Sequence, residues 1–190
     1  MPESGRARRD GHQVTRRSAL PDLQTLHLRH KGLTEDQCGT FAEAASVCLA
    51  RHHTSPTVFQ VETGTRASAR ELRWPVPSDR ILRSQNNRID ATENGAYSVC
   101  LSTLEAELGL VAIQRADIRT GADWYVAKDN EDLEQALRFE VSGLDEGDRH
   151  EVLGRLGDKV KQARRGQSDL PAIAGVVGFL AKLIAIRHVV

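Results

Sequence analysis

The second half of the chain alternates between two hydrophobic periodicities. Segments in which apolar and polar residues alternate, or in which β-branched residues cluster, predict strands at 110–115, 122–127, 137–141 and 183–189. Helical spacing, with apolar residues three and four positions apart, covers 90–108 and 148–165. The pattern therefore predicts the order helix, strand, strand, strand, helix, strand between residues 90 and 190.

Local signals predict where these elements begin and end. Asp90 followed by Glu93 has the spacing of a capping box and predicts the start of the first helix. Gly109 is expected to end that helix, because glycine adopts the left-handed conformation easily. Pro171 follows the second helix, and we expect it to open a short helical turn.

The first ninety residues give weaker signals. A helix is predicted at 33–51, where Thr34 and Gln37 form a capping box and apolar residues follow at helical spacing. Residues 57–62 alternate as a half-buried strand does. Residues 71–76 predict a second strand, which Pro75 confines to a sheet edge.

These signals divide the chain into three parts within one compact domain. Residues 1–20 are polar, aperiodic and rich in arginine, and predict a disordered basic tail. Residues 21–89 are predicted to be a helix-and-strand extension packed on the core. Residues 90–190 form the predicted α/β core.

Charge and composition narrow the class of protein. The tail has five arginines against two acids, a balance of +3, and since the whole chain is neutral the rest sums to −3. A folded part that is not basic disfavours a protein that holds DNA by charge alone. The three cysteines fit no metal or redox spacing and predict buried, reduced thiols in a cytoplasmic protein. Residues 170–190 are mostly apolar, but Lys182 interrupts them, so we expect buried core and no membrane span.

The predicted hairpin of strands 122–127 and 137–141 brings two acids together. If Trp124 lies opposite Phe139, the apolar residues of both strands share one face, since side chains alternate along a strand. A slip of one residue would mix the two faces, so the pattern favours this register. The same register places Asp123 opposite Glu140.

Two opposed carboxylates destabilise a sheet mildly unless something neutralises them. A divalent cation is one answer, because Mg²⁺ binds one or two carboxylates together with water. The alternative is a structural ion-pair network, in which Arg138 or another base satisfies both acids. The hairpin alone leaves both interpretations open.

The segments GADWYV and LRFEVSG, with the predicted element order, resemble the core of the PD-(D/E)XK nuclease superfamily, which includes restriction enzymes and Holliday-junction resolvases. That family has the order αβββαβ, an Asp on the second strand, a Glu-x-Lys on the third and often an acid on the first helix. The resemblance implies an α/β, restriction-endonuclease-like fold with an N-terminal helix and short strands added. It also implies Mg²⁺ or Mn²⁺ bound by Asp123 and Glu140, Glu93 as an additional acid with Glu105 as a weaker candidate, and DNA as substrate.

The sequence departs from the family at the catalytic lysine. Ser142 stands at that position, and a serine cannot supply the positive charge that steadies a developing negative charge. Some family members recruit a lysine from the following helix, and Lys159 is the best replacement here, with Gln162 three residues on. The alternative for Lys159 is a basic helix end that complements the helix dipole.

Three functional hypotheses follow. The first is a metal-dependent DNA phosphodiesterase with Asp123, Glu140 and Lys159 as catalytic residues. The second is a non-catalytic interaction subunit on a nuclease-like fold, which binds a partner protein or forms a homodimer within a bacterial defence or toxin-type assembly. The third is a structural domain whose acids are fixed by arginines such as Arg138 or Arg115.

Overall fold

A computed structural model describes residues 18–128 and 135–189 of the chain. Most of the predicted tail, residues 1–17, and most of the connection between the two hairpin strands lie outside the described residues. Residues 18–20 are ordered, contrary to the prediction of a tail reaching residue 20. Ala19 forms a bridge with Glu71, and Leu20 is buried.

The fold is α/β, with one mixed sheet of seven strands. The helices are α1 Glu35–His52, α2 Asp79–Ser84, α3 Arg88–Leu108 and α4 Arg149–Arg165, with 3-10 turns at Leu23–Leu28 and Ile118–Thr120. The strands are β1 Thr57–Thr63, β2 Arg66–Leu72, β3 Leu110–Arg115, β4 Trp124–Lys128, β5 Leu137–Leu144, β6 Ala172–Gly178 and β7 Leu183–Val189. Their order in the sheet is β2-β1-β7-β6-β5-β4-β3, with β1 parallel to β7, β5 parallel to β6 and the other pairs antiparallel.

Helices cover both faces of this sheet. The larger core joins α1 and α3 to one face, and Ile173 and Val177 of β6 belong to it. The smaller core joins α4 to the opposite face, through Ala174 and Val176 of the same strand. Because β6 is buried on both faces, it has a continuous apolar sequence instead of an alternating one.

That burial explains one wrong prediction. Pro171 opens no helical turn, because the buried run that follows it is strand β6. The first strand after α4 is therefore β6, which pairs in parallel with β5, and the predicted last strand, β7, comes after it. The expectation that residues 170–190 are buried core is confirmed for Ala172–Gly178 and the first half of β7.

Two further boundaries differ from the prediction. Asn87, not Asp90, caps α3, since its side chain accepts a hydrogen bond from the N–H of Ile89 at 3.1 Å. The predicted strand at 71–76 ends at Leu72, because β2 instead pairs with β1 across a turn at Gly64, whose φ is +62°. The capping box of Thr34 and Gln37 and the left-handed Gly109 are confirmed.

A close contact between β5 and α3 fixes the geometry around the predicted site. A Cβ added at Gly143 would lie 2.6 Å from the carbonyl oxygen of Thr92 and 3.1 Å from the Cβ of Ala96. Only glycine allows the end of β5 to approach the helix so closely. The N-terminal part of α3 is thereby held beside the carboxyl end of β5.

Candidate functional site

The predicted hairpin register is confirmed. Trp124 pairs with Phe139 and Val126 with Leu137, and the first three of these side chains are fully buried in the larger core. Asp123 lies immediately before β4, and its N–H donates to the carbonyl of Phe139 at 2.9 Å. Asp123 therefore lies beside the Phe139–Val141 part of β5, while its position directly opposite Glu140 lies beyond the paired residues and stays a prediction.

Asp123 is held by donors from three elements. Its Oδ1 accepts a hydrogen bond from the Tyr97 hydroxyl at 2.9 Å, and its Oδ2 accepts one from the Val141 N–H at 2.8 Å. The Arg115 guanidinium lies 3.7 Å from Oδ1. The carboxylate is thus fixed between α3, β5 and β3.

Tyr97 connects Asp123 to the predicted accessory acid. Its hydroxyl also lies 3.0 Å from Oε1 of Glu93, and it accepts a hydrogen bond from Arg115 at 3.0 Å. Burial, followed by the charge of Asp123, raises the pKa of Tyr97, so the hydroxyl keeps its proton. One hydroxyl has one proton, so Tyr97 can donate to only one of the two carboxylates at a time.

Glu140 faces helix α4, which covers the face of the sheet opposite the larger core. Its side chain is 4% exposed, and its Oε1 lies 2.6 Å from Nζ of Lys159, which also lies 3.2 Å from Oε1 of Gln162. Burial raises the pKa of Glu140, the charge of Asp123 raises it further, and Lys159 opposes both. The lysine and glutamine that the sequence singled out on α4 therefore do meet the second acid.

Arg138 does not neutralise the acids, but the ion-pair alternative holds through other bases, since Lys159 pairs with Glu140 at 2.6 Å and Arg115 lies 3.7 Å from Asp123. Its guanidinium donates to the backbone carbonyls of Thr120, Ala163 and Leu170, at 2.6 to 2.9 Å. Ala163 is in the last turn of α4, where carbonyls lack a helical partner. The arginine therefore fastens the end of α4 to the sheet, and the ammonium beside Glu140 comes from Lys159.

A cavity of about 570 Å³ opens at the carboxyl end of β5, between α3 and α4. Asp123, Glu93, Ser142 and Lys159 all line it, and Lys159 connects the cavity wall to Glu140 through their 2.6 Å pair. Two more cations, Arg88 and Arg155, line the same cavity. Open α/β sheets commonly bind ligands outside the carboxyl ends of their strands, and this cavity has that location.

The rim of the cavity is braced by one carboxylate. Asp145 lies 2.9 Å from Arg51, 3.0 Å from Nε2 of His52 and 2.7 Å from Arg88. Burial alone would raise the pKa of Asp145, but hydrogen bonds from Arg88 and His52 and the charge of Arg51 hold it below its ordinary value. The loop after β5 is thus tied to the C-terminus of α1 and the N-terminus of α3.

Glu105, the weaker acid candidate, does not join the site. It pairs with Arg29 at 2.7 Å and with the buried His30 at 3.1 Å. Nδ1 of His30 accepts the N–H of Ala112 at 2.9 Å, so Nε2 carries the proton towards Glu105. Burial lowers the pKa of His30 despite the acid beside it, so the ring is neutral near pH 7.

Sequence reasoning missed Tyr97 and Arg155 as members of the site. Tyr97 follows Glu93 by four residues and Arg155 precedes Lys159 by four, and residues at this spacing share a helical face. That periodicity would have found both. Val141 gave no sequence signal, because it contributes its backbone N–H.

The donor chemistry suits a hard cation. Carboxylate oxygens are the ligands of Mg²⁺, which needs only one or two of them because it keeps several waters. Asp123 lies on the cavity wall, but both its oxygens already accept hydrogen bonds, and Glu140 is paired with Lys159. A cation would therefore share these acids with their donors. Among the described residues, no group of three or more His, Cys, Asp or Glu is arranged to hold a metal.

The other predictions for chemistry have clear outcomes. The three cysteines are free and buried, as expected. In the described part of the chain, no helix has the length and apolarity needed to cross a membrane. Comparisons with family models, with curated proteins and with solved structures gave no match.

Proposed function

We propose that the protein is a metal-dependent DNA phosphodiesterase of the PD-(D/E)XK type, with its lysine supplied by α4. The observation that carries the proposal is the 2.6 Å contact between Lys159 and Glu140, beside the cavity that Asp123 lines. Ser142 occupies the position of the family's lysine, and the ammonium of Lys159 reaches Glu140 from α4 instead. Mg²⁺ or Mn²⁺ is the proposed cofactor.

The strand pairing around the site supports this proposal. A helix, α3, precedes the three antiparallel strands β3, β4 and β5, and α4 then leads to β6, which lies parallel to β5. This is an αβββαβ sequence of elements, with Asp123 immediately before the second strand and Glu140 on the third. Strands β1, β2 and β7 extend the sheet beyond it.

Each side chain has a task in the proposed reaction. A bound divalent ion would polarise a phosphoryl oxygen and lower the pKa of a water molecule. Asp123 and Glu140 would hold that ion, and the donors Tyr97 and Val141 keep Asp123 in one orientation. Lys159 places a positive charge where negative charge develops in the transition state, and a fixed charge of this kind stabilises it strongly in a dry site.

The test combines cleavage with metal binding. We expect Mg²⁺ or Mn²⁺ to support cleavage of DNA and to raise the melting temperature. Asp123→Asn keeps an oxygen acceptor for the Val141 N–H but loses the charge, so it should fold, lose the metal-dependent stabilisation and cleave at least 100-fold more slowly. Lys159→Met should lose cleavage, whereas Lys161→Met, whose ammonium pairs with Asp158 on the surface, should retain it.

A native protein that neither cleaves DNA nor changes its melting temperature with either metal would refute the proposal. The second hypothesis, a non-catalytic subunit, is favoured by Ser142 and by two large apolar side chains on the surface, Val76 at 88% and Ile89 at 78% exposed. If this hypothesis is right, the protein forms a stable homodimer or complex that Val76→Ser or Ile89→Ser weakens. Light scattering coupled to size exclusion measures the homodimer.

A further inference from the structure

We propose that Arg155 binds a backbone phosphate of the DNA strand that lies in the cavity, so that α4 supplies both a substrate anchor and the catalytic lysine. The inference rests on the proposed function and deepens it, because it names the group of the substrate that the cavity recognises. Arg155 and Lys159 are four residues apart on α4, a rise of about 6 Å, and both line the cavity.

The other cations near this cavity already have carboxylate partners. Arg88 is held by Asp145 and Glu146 at 2.7 and 2.6 Å, and Lys159 is held by Glu140. Their charges are largely committed to the protein itself. A backbone phosphate that paired directly with Arg88 would have to displace one of its two carboxylates.

Arg155 differs from them. Its side chain is exposed, and the described residues provide no ion pair for it. Elsewhere on the helix, Arg149 pairs with Glu62 and Lys161 with Asp158. Arg155 is therefore a cation on the cavity wall that can bind an external anion without breaking an ion pair to the described residues.

The chemistry of the side chain favours a phosphate. A guanidinium presents a planar fork of donors that matches two phosphate oxygens, and contacts of this kind are stronger than those between neutral groups. The cavity wall also carries Glu93 and Asp123, which repel an anionic strand unless a cation offsets them. Arg155 would hold a phosphate on the α4 side, one helical turn from Lys159.

The matched control is Arg164→Ala. Arg164 is an exposed arginine of the same helix, nine residues after Arg155, and nine residues are two and a half turns, so it points to the opposite side. Both substitutions remove one positive charge from α4. Only Arg155→Ala removes it from the cavity.

The experiment measures the affinity for a short fluorescein-labelled DNA duplex by anisotropy, in Ca²⁺ to slow cleavage, between 50 and 200 mM salt. The slope of log K against log salt is negative, and loss of one phosphate contact makes it less steep by about 0.9. We expect Arg155→Ala to bind roughly tenfold more weakly than the native protein at 50 mM salt and roughly threefold more weakly at 200 mM. Arg164→Ala should keep the native slope, and Arg155→Lys, which keeps the charge but loses the fork, should also keep the slope with a smaller loss of affinity.

The outcomes separate this inference from the proposed function. If the native protein binds DNA and Arg155→Ala binds it with the native affinity and slope, the inference is wrong, whether or not the native protein cleaves. An equal effect of Arg155→Ala and Arg164→Ala also overturns it. If the slope changes as expected but the native protein does not cleave with Mg²⁺ or Mn²⁺, the phosphate site stands and the proposed activity fails. Absence of any DNA binding by the native protein overturns both.

Discussion

Removing the ammonium of Lys159 should leave a buried carboxylate without its counter-ion. In Lys159→Met the side chain keeps most of its apolar length but loses the 2.6 Å contact with Glu140. The side chain of Glu140 is 4% exposed and that of Lys159 is 19% exposed, so little water reaches the pair. Breaking a buried pair costs about 3–5 kcal/mol, and the partial exposure of Lys159 places this pair at the lower end, at about 3 kcal/mol.

The cost should depend on pH, because Glu140 can escape it by taking up a proton. A carboxyl whose pKa is higher in the folded protein than in the unfolded chain binds its proton more tightly when folded. Its stabilising contribution is therefore complete at low pH and is lost as pH rises through the folded-state pKa. Burial already raises the pKa of Glu140, and loss of the Lys159 ammonium, which opposes that shift, raises it further in the variant.

The assay is urea unfolding of the native protein and the variant at pH 5 and pH 8. We expect a difference in the free energy of unfolding of about 3 kcal/mol at pH 8 and a smaller difference at pH 5, because a raised pKa leaves more of Glu140 protonated there. Lys161→Met is the control for charge, since that ammonium is 68% exposed and its removal should change the stability by less than about 0.5 kcal/mol.

A double variant tests whether the unpaired charge of Glu140 causes the loss of stability. Glu140→Gln combined with Lys159→Met removes both charges, and the double variant should recover most of the stability lost in Lys159→Met at pH 8. The reasoning would be refuted by a destabilisation that is the same at both pH values and is not relieved by Glu140→Gln. That result would mean that Lys159 stabilises the fold through packing, not through the charge of Glu140.

Three other positions give further predictions. Gly143→Ala should destabilise the protein by about 1–3 kcal/mol, because the new methyl group would lie 2.6 Å from the carbonyl oxygen of Thr92. Gly154→Ala should stabilise α4 by about 0.5–1 kcal/mol, because nothing lies within 4 Å of the added group. Thermal unfolding of the two variants measures the contrast. His30 should make the native protein less stable below about pH 6.5, since its lowered pKa means that the unfolded chain takes up the proton first. Part of that acid loss should vanish in His30→Gln, and a urea midpoint with the same pH dependence in both proteins would contradict this.

The sequence predicted the geometry of the hairpin because the information is local. Trp124 and Phe139 must share a buried face, and the period of two in a strand then determines what lies opposite Asp123. The contact of Lys159 with Glu140 was also accessible, since Val152 and Leu156 show which side of α4 meets the sheet. Both inferences needed only a periodicity and one buried partner.

The errors arose where tertiary contacts decide the structure. Residues 172–178 have no alternation because helices cover both faces of β6, so the pattern could not distinguish a strand from a buried turn. The partners of Arg138 are backbone carbonyls brought together by the fold, and every residue has a carbonyl, so the sequence could not indicate which ones would bind it. The ion pairs of Asp145 likewise join α1, α3 and the loop after β5, which lie far apart in the chain.

The hydrogen bond from Val141 to Asp123 affects how sequence variation at this site should be interpreted. The carboxylate accepts a backbone N–H of β5, so a residue without a side-chain oxygen at position 123 would leave that donor unpaired even in a protein that catalyses nothing. Retention of Asp or Asn there among relatives would thus be required by folding alone. Position 155 is different, because Arg155 is exposed and forms no hydrogen bond or ion pair through its side chain with the described residues. Selection that keeps an arginine at position 155 would therefore report on a ligand, and it is the more informative position to compare.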